Sequence, residues 1–278
     1  MSKRRIRHLV FGLLVAGLIP AGAAGGQAPR EPQTAKEIEA FLSSARVASV
    51  EKDAEMGRSL PWRVTLDDGE FQARAMFKYI DRRTVQSSRH SYRYELAAYD
   101  FSRLLDLEIV PPVVLRDIEG SPGSLQWYAE NCRSERDRRR LNLAPRELEA
   151  FLHRLEIVQI FEALVNDDCG DQDDTLIHKD SWEICRVDFS AAFRPSPSLS
   201  TGCLVRRCSR TLFHRLEDLK RPVIANRMKP YLNGQEIDAL FRRVRQFIDL
   251  IKNEIRDKGE AAVLFDLKNP EPRGAGHD

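Results

Sequence analysis

Hydrophobic and polar positions alternate through most of the first half of the chain, and they recur at helical spacing in the second half. Alternation of apolar and polar residues predicts strands, and apolar residues three or four apart predict amphipathic helices. The first half is predicted to contain a helix at 35–45, a strand at 47–52, a hairpin of 62–66 with 71–80, a helix at 91–107, and strands at 113–118 and 124–129. The hairpin turns at Asp67-Asp68-Gly69, a sequence typical of tight turns.

The second half is predicted to be mainly helical. A charged stretch at 133–140 is expected to be a solvated connection between the halves. The predicted elements that follow it are a long helix at 145–165, strands at 176–178 and 183–187, and helices at 211–220 and 234–258 with a short one between them near Pro222. The apolar face of the long helix is predicted to comprise Leu148, Leu152, Leu155, Val158 and Phe161. The pattern therefore predicts an α+β protein with a β-rich N-lobe, a charged hinge and a helical C-lobe.

The N-terminus has the features of a secretory signal peptide. A basic stretch from Lys3 to His8 precedes an apolar stretch that runs from Leu9 to Ala24 and is interrupted by Pro20. Small residues then provide a cleavage site, and the apolar stretch is shorter than a typical spanning helix of ~20 residues. An uncleaved anchor is the alternative. We expect a signal peptide at 1–24, a linker at 25–34, lobes at 35–130 and 131–266, and a disordered tail at 267–278, with no transmembrane segment after cleavage and a periplasmic or extracellular location.

Composition and charge describe an ordinary globular protein of 278 residues, with 42% hydrophobic and 31% charged residues. The formal charge of +2 falls to −2 when the four basic residues of the predicted signal peptide are removed (+2 − 4). This balance provides no basic surplus for a nucleic-acid partner. The five cysteines are Cys132, Cys169, Cys185, Cys203 and Cys208. An exported protein permits disulfides among them, and their pairing stays open; the scattered histidines argue against zinc.

An acidic segment follows the long predicted helix. Residues 166–174 (NDDCGDQDD) contain five carboxylates, and Asp188 stands at the end of a later predicted strand. Carboxylates that meet at a loop and a strand end provide the oxygen ligands preferred by Mg²⁺ or Mn²⁺. A Ca²⁺-binding turn and a merely solvated acidic loop are the alternatives.

Lys78 and Glu95 form a second candidate pair. Lys78 ends a hairpin strand after Ala75, Met76 and Phe77, and Glu95 lies within the helix that follows. A strand lysine that faces a helical glutamate is the arrangement with which kinases hold an amine against nucleotide phosphates. Two unrelated surface charges are the alternative.

The order of these features, together with several motifs, resembles one group of kinases. The segment KYIDRRTVQSSRHSYRYELAAYDFSRLLDLEIVPPVVLRDIEGSPGSLQWY and the later stretches FEALVNDDCGDQDDTLI and SWEICRVDFSAAFR carry the resemblance, which covers roughly residues 45 to 266. The group comprises atypical bacterial kinase-like proteins related to phosphatidylinositol 3-/4-kinases, HipA-like kinases and secretory-pathway casein kinases. The resemblance implies a two-lobed protein-kinase-like fold that uses ATP, or GTP, with Mg²⁺ or Mn²⁺.

The resemblance also implies roles for individual residues. Lys78 matches the lysine that binds the nucleotide, and Glu95 matches its partner on the helix. Asp188 matches the metal-binding aspartate. Gln126 and Trp127 match the hinge beside the adenine, and Gly57 matches the turn over the phosphates. Aligned without gaps, the catalytic aspartate of the group falls on Cys169 and its metal-binding asparagine on Asp174. A shift of one residue offers Asp168 as the base and Asp173 as the ligand instead, and Asp171 is a further candidate.

Three hypotheses for function follow. The first is an exported phosphotransferase whose acceptor is a protein, a lipid or a small molecule. The second is a pseudokinase that binds nucleotide or a partner, because a thiol at Cys169 cannot accept a proton from a hydroxyl nucleophile as a carboxylate does. The third is a structural periplasmic protein with an acidic Ca²⁺ loop, in which a nucleotide has no effect.

Overall fold

The computed structural model describes residues 32, 34–52, 60–83, 89–167, 171–199 and 205–267. The predicted signal peptide, most of the predicted linker and most of the predicted tail lie outside these ranges, as do Gly57, Asp168 and Cys169. No helix in the described ranges is both long enough and apolar enough to cross a membrane.

The N-terminal lobe is built on an antiparallel five-stranded sheet. Its strands are β1 (Arg46–Lys52), β2 (Trp62–Asp67), β3 (Gln72–Lys78), β6 (Val113–Ile118) and β7 (Ser121–Trp127), in the order β1-β2-β3-β7-β6. The predicted hairpin is confirmed, since β2 pairs with β3 and the Gly69 amide donates to the Asp67 carboxylate at 2.7 Å. Two short strands, β4 (Asp81–Arg82) and β5 (His90–Ser91), pair beside the sheet.

One face of this sheet is covered by helix α1 (Ala35–Ser44). Thr34 and Glu37 form a capping box that satisfies the first free amides of the helix. The helix buries Phe41 and Leu42 against alternate sheet residues, among them Phe77 and Leu125. Because side chains alternate across a strand, the intervening residues of β3 and β7 point to the opposite face.

Helix α2 (Tyr92–Leu104) connects the two lobes. The Ser91 hydroxyl accepts a hydrogen bond from the Arg93 amide and thereby caps the helix. Most of α2 is buried, and its residues belong to the large hydrophobic core shared with the C-lobe helices. The single glutamate of its first turn, Glu95, is therefore held inside the protein.

The C-lobe is helical, with small sheets at its borders. Its helices are α3 (Glu135–Arg140), α4 (Leu148–Val165), α5 (Arg210–Asp218), α6 (Arg221–Met228), α7 (Gly234–Lys258) and α8 (Glu260–Val263). Its strands are β8 (Cys132–Ser134), β9 (Thr175–His178) and β10 (Ile184–Arg186), which form one sheet, and β11 (Cys208–Ser209) with β12 (Leu264–Phe265). The predicted α+β, two-lobed architecture is confirmed.

Two local expectations are wrong. The stretch 133–140 is not a solvated connection, because it contributes to β8 and forms α3. Its Glu135 is buried and forms ion pairs with Arg138 and Arg139. The predicted face of the long helix is also misplaced, because Leu148 and Leu152 are exposed. The apolar residues of α4 belong to two different hydrophobic clusters, so their spacing does not mark a single buried face.

Candidate functional site

Lys78 lies on the face of the sheet that α1 leaves uncovered. The neighbouring strand residues Ala75 and Phe77 point into the core beneath α1, so Lys78 points to the other side. Its side chain is 11% exposed. A buried ammonium needs counter-charges, and the structure supplies two.

The first counter-charge is Glu95. Lys78 Nζ lies 2.6 Å from Glu95 Oε1, and the Glu95 side chain is only 2% exposed. The second carboxylate oxygen, Oε2, accepts a hydrogen bond from the Phe189 amide at 3.1 Å. The predicted proximity of Lys78 and Glu95 is thus confirmed, whereas their role in binding a nucleotide stays a prediction.

The second counter-charge is Asp188, which follows β10. Its Oδ1 lies 2.6 Å from Lys78 Nζ and accepts a hydrogen bond from the Ser190 hydroxyl at 2.8 Å. Asp188 has a φ of 59°, in the left-handed region that non-glycine residues seldom adopt. Its side chain is 40% exposed. One side of Asp188 is therefore paired with Lys78, while the carboxylate still reaches solvent.

Lys78, Glu95 and Asp188 form a charged triad, and each of the three changes the pKa of the others. Burial disfavours the Lys78 ammonium, but Glu95 and Asp188 outweigh this and raise the pKa of Lys78. Burial raises the pKa of Glu95, with Lys78 acting against it. Burial also opposes the charge of Asp188, yet Lys78 and the Ser190 hydrogen bonds lower the pKa of Asp188 below its ordinary value. The site therefore holds a cation beside an ionised, partly exposed carboxylate.

A second charged network lies next to the triad and is centred on Arg186, which the sequence analysis missed. Its guanidinium is 2% exposed and lies 2.6 Å from Glu162 and 2.8 Å from Asp167, with Asp174 at 3.5 Å. The sequence signal was an arginine between Ile184, Cys185 and Val187, in a short strand that is otherwise apolar. Arg186 joins the end of α4, the acidic segment and the strand that leads to Asp188.

The two candidate metal ligands of the acidic segment lie in different surroundings. Asp173 forms an exposed ion pair with Arg136, at 2.7 Å. Asp174 is more buried, and its carbonyl oxygen accepts a hydrogen bond from Val187 at 3.0 Å, one residue before Asp188. Burial raises the pKa of Asp174 to about 7, with Arg186 lowering it and Asp188 raising it. Asp174 therefore lies within electrostatic reach of Asp188.

These residues fit a divalent cation that is completed by phosphate. The described residues contain no group of three or more histidine, cysteine or acidic side chains able to hold a metal. Mg²⁺, however, is usually bound by one or two carboxylates together with substrate phosphates rather than by an all-protein cage. Asp174 and Asp188 meet that requirement, and a cation between them would relieve their mutual repulsion. The chemistry of the donor set is thus compatible with Mg²⁺ or Mn²⁺.

The hinge residues Gln126 and Trp127 point to opposite faces of β7. Gln126 pairs with Met76 on β3 and shares the face of Lys78, and its buried Nε2 has no hydrogen-bond partner in the structure. The Trp127 ring instead packs against Phe41 and Phe71, on the side of α1. An orphaned buried amide is a fit for a ligand acceptor. Gln126 therefore lies on the Lys78 face of the sheet and the Trp127 side chain lies on the face of α1. The role of either residue beside an adenine stays a prediction.

A two-lobed fold with a buried lysine–glutamate pair between its lobes is characteristic of the protein-kinase-like class. Comparison with solved structures agrees: a hydra Fam20 protein, solved with a sugar, aligns with a TM-score of 0.62 at 14% identity, covering 83% of this chain and 92% of that one. A Golgi casein kinase aligns with a TM-score of 0.57 at 13% identity, covering 83% of this chain and 78% of that one. At such identities the likeness shows the fold. No family model and no curated protein matches the chain at a significant level.

The resemblance stated from sequence is thus confirmed for the fold of the secretory casein kinases. Its extension to bacterial proteins, phosphatidylinositol kinases and HipA-like kinases stays a prediction. The suggested roles of Gly57, Asp168 and Cys169 also stay predictions, since these residues lie outside the described ranges.

Proposed function

We propose that this chain is an exported, kinase-like phosphotransferase that uses ATP, or GTP, with Mg²⁺ or Mn²⁺ and transfers phosphate to a protein, lipid or small-molecule acceptor. The observation that carries the proposal is the contact of one buried ammonium, Lys78, with both Glu95 and Asp188 at 2.6 Å. These three residues come from a strand, a helix and a strand end, in the order that the kinase fold uses.

Each residue has a definite task in this proposal. Lys78 has three N–H donors, of which two reach Glu95 and Asp188, so the third is free for a phosphate oxygen. Glu95, fixed by the Phe189 amide, keeps the ammonium at that position. Asp188 and Asp174 would hold the divalent cation, which supplies electrostatic stabilisation of the transferred phosphate. Gln126 would border the adenine.

In this proposal the base comes from the acidic segment. Asp167, the buried acid at the start of the acidic segment, is held by Arg186 at 2.8 Å and is not available as a base. This leaves Asp168 and Asp171, of which we take Asp168 as the base, as the shifted alignment suggests. With Asp168 as the base and Asp188 on the metal, the chain retains both acids that phosphoryl transfer requires.

A second candidate function is that of a pseudokinase. It is favoured by Cys169, which stands where the gap-free alignment expects the catalytic aspartate. In this case Lys78, Glu95 and Asp188 would bind a nucleotide and metal without transfer, and the protein would act through the bound state.

Thermal unfolding of the purified mature chain with ATP or GTP and Mg²⁺ or Mn²⁺ tests the site that both candidates share. A ligand present at ~100 times its dissociation constant adds ~2.7 kcal/mol to stability. We expect such a gain in wild type and its loss in Asp188→Asn, which is nearly isosteric. An unchanged gain in this variant, or no gain in wild type with either nucleotide, would contradict the proposed site. Either result would favour the structural hypothesis, in which Ca²⁺ alone stabilises the chain.

A radiolabelled phosphate-transfer assay separates the two candidates. Transfer by wild type that falls strongly in Asp168→Asn supports the enzyme. Transfer that appears only after Cys169→Asp supports the pseudokinase. Export is tested independently by mass spectrometry of the exported protein, which should begin near Ala24.

A further inference from the structure

The two carboxylate oxygens of Asp188 have unequal surroundings. Oδ1 lies 2.6 Å from Lys78 Nζ, and it accepts a hydrogen bond from the Ser190 hydroxyl at 2.8 Å and a longer one from the Ser190 amide at 3.4 Å. No donor from the described part of the chain reaches Oδ2, and the side chain is 40% exposed. Oδ2 is therefore the oxygen of Asp188 that remains for a cation.

Ser190 is fixed beside this carboxylate by contacts with its backbone as well as its side chain. Only 3% of the residue is exposed. Its carbonyl oxygen accepts a hydrogen bond from the Ser91 amide at 2.8 Å, which ties it to strand β5 and so to the start of α2. Its amide closes a turn with the Asp188 side chain, a local bond that aspartate often makes. Because Asp188 has a φ of 59°, which is unfavourable for this residue type, its conformation depends on such contacts.

A histidine of β5 contacts the same hydroxyl. His90 Nδ1 lies 3.1 Å from Ser190 Oγ. A hydroxyl group has a single proton, and an ionised carboxylate can only accept. The Ser190 proton is therefore donated to Asp188, and the Ser190 oxygen accepts the hydrogen of His90 Nδ1. The hydrogen bonds run in one direction, from His90 through Ser190 to Asp188 Oδ1, and they place the proton of a neutral His90 ring on Nδ1.

We propose that Ser190 and His90 are positioning residues for Asp188 as a ligand of the divalent cation. The Ser190 hydroxyl holds Oδ1 toward Lys78 and thereby leaves Oδ2 to the cation, and His90 fixes the rotation of that hydroxyl. This inference rests on the proposed function and adds two residues to its metal site. The loss of a residue that orients a metal ligand typically weakens metal binding about 10–100-fold.

NMR of the chain labelled with ¹⁵N-histidine tests the hydrogen-bond chain without metal or nucleotide. At about pH 8.5, about two units above the ordinary histidine pKa of about 6.5, a histidine of ordinary pKa is neutral and its nitrogen shifts report which nitrogen carries the proton. The signal that disappears in His90→Asn identifies His90. We expect its proton on Nδ1 in wild type. A proton on Nε2 would overturn the proposal, because His90 could then not donate to Ser190.

Binding of Mn²⁺, followed by electron paramagnetic resonance with and without a non-hydrolysable ATP analogue, tests the positioning role. Ser190→Ala should bind Mn²⁺ about tenfold more weakly than wild type. His90→Ala should weaken binding in the same direction. His90→Asn should restore most of the affinity, because its side-chain amide can donate from near the position of Nδ1. The two His90 variants provide the same test if Ser190→Ala does not fold.

Ser102→Ala is the matched control. Ser102 is a buried serine of α2 whose hydroxyl donates to the Leu107 carbonyl, away from Asp188, so this variant loses a similar hydrogen bond and should keep the wild-type affinity for Mn²⁺. Equal affinities of wild type and Ser190→Ala, or equal losses in Ser190→Ala and Ser102→Ala, would overturn the positioning role and leave the proposed function standing. If wild type itself binds no Mn²⁺ with or without the nucleotide analogue, the proposed metal site is wrong and the positioning role is overturned with it.

Discussion

Replacing Lys78 by methionine tests whether Glu95 depends on the ammonium for its charge. Methionine has a similar length and no charge, so the substitution leaves Glu95 buried with a single hydrogen bond, from the Phe189 amide. A buried carboxylate without a counter-charge takes up a proton rather than remaining ionised. The cost to stability is then the cost of keeping Glu95 protonated at the working pH.

That cost can be worked out from the ordinary pKa of 4.5 for this carboxyl group. Protonation near pH 7 lies 2.5 pH units above that value and costs about 3.4 kcal/mol, at about 1.36 kcal/mol per unit. Near pH 5 the same calculation gives about 0.7 kcal/mol. Because the pKa of Glu95 is raised in the folded variant, the loss of stability is absent at pH values below the ordinary pKa and grows as the pH rises above it. A loss of about 3 kcal/mol also matches the usual effect of breaking a buried ion pair.

Urea unfolding near pH 7 and pH 5 measures this difference. We expect Lys78→Met to lose about 3 kcal/mol of unfolding free energy near pH 7 and less than about 1 kcal/mol near pH 5. The double variant Lys78→Met/Glu95→Gln should lie within about 1 kcal/mol of wild type, because the fully buried carboxylate is gone and the remaining one, Asp188, still reaches solvent. Lys252→Met is the matched control: its ion pair with Glu217, at 2.8 Å, is half-exposed, and its loss should cost about 1 kcal/mol or less at either pH.

The dependence of the Glu95 charge on Lys78 would be refuted by a loss of equal size at both pH values, since a packing defect does not depend on protonation. It would also be refuted if the double variant were no more stable than Lys78→Met. Either result would mean that Glu95 does not rely on Lys78 for its charge.

Three further expectations follow. Metal affinity, measured by calorimetry, should fall about tenfold for each pH unit below about 7, because burial raises the pKa of Asp174 to about 7. Asp174→Asn should abolish this dependence of the affinity on pH. Gly123→Ala should cost about 1–3 kcal/mol in urea unfolding, since an added Cβ would lie 2.4 Å from the Lys78 carbonyl oxygen, whereas Gly234→Ala has open space. Arg243→Met should cost about 2–4 kcal/mol in urea unfolding, because the buried Arg243 side chain donates hydrogen bonds to the carbonyls of Leu164, Arg194 and Ser196.

Local patterns predicted most of the elements because they depend on neighbouring residues. The hairpin of β2 and β3 follows from strict alternation and a turn with glycine, and α7 was predicted with the bounds Gly234–Lys258. The order of motifs also singled out Lys78, Glu95 and Asp188, although they are up to 110 residues apart. Where a helix is buried on several sides, as α4 is, periodicity no longer identifies the buried face.

The remaining features arise from contacts between distant segments. Alternation assigns Gln126 and Trp127 to opposite faces, but which face borders the cleft depends on where α1 packs. The buried position of Arg186 among acids from α4 and the acidic segment depends on the packing of β10. A linear sequence carries the charge and polarity of each residue, but the energy of a buried charge is set by neighbours that only the folded chain brings within reach.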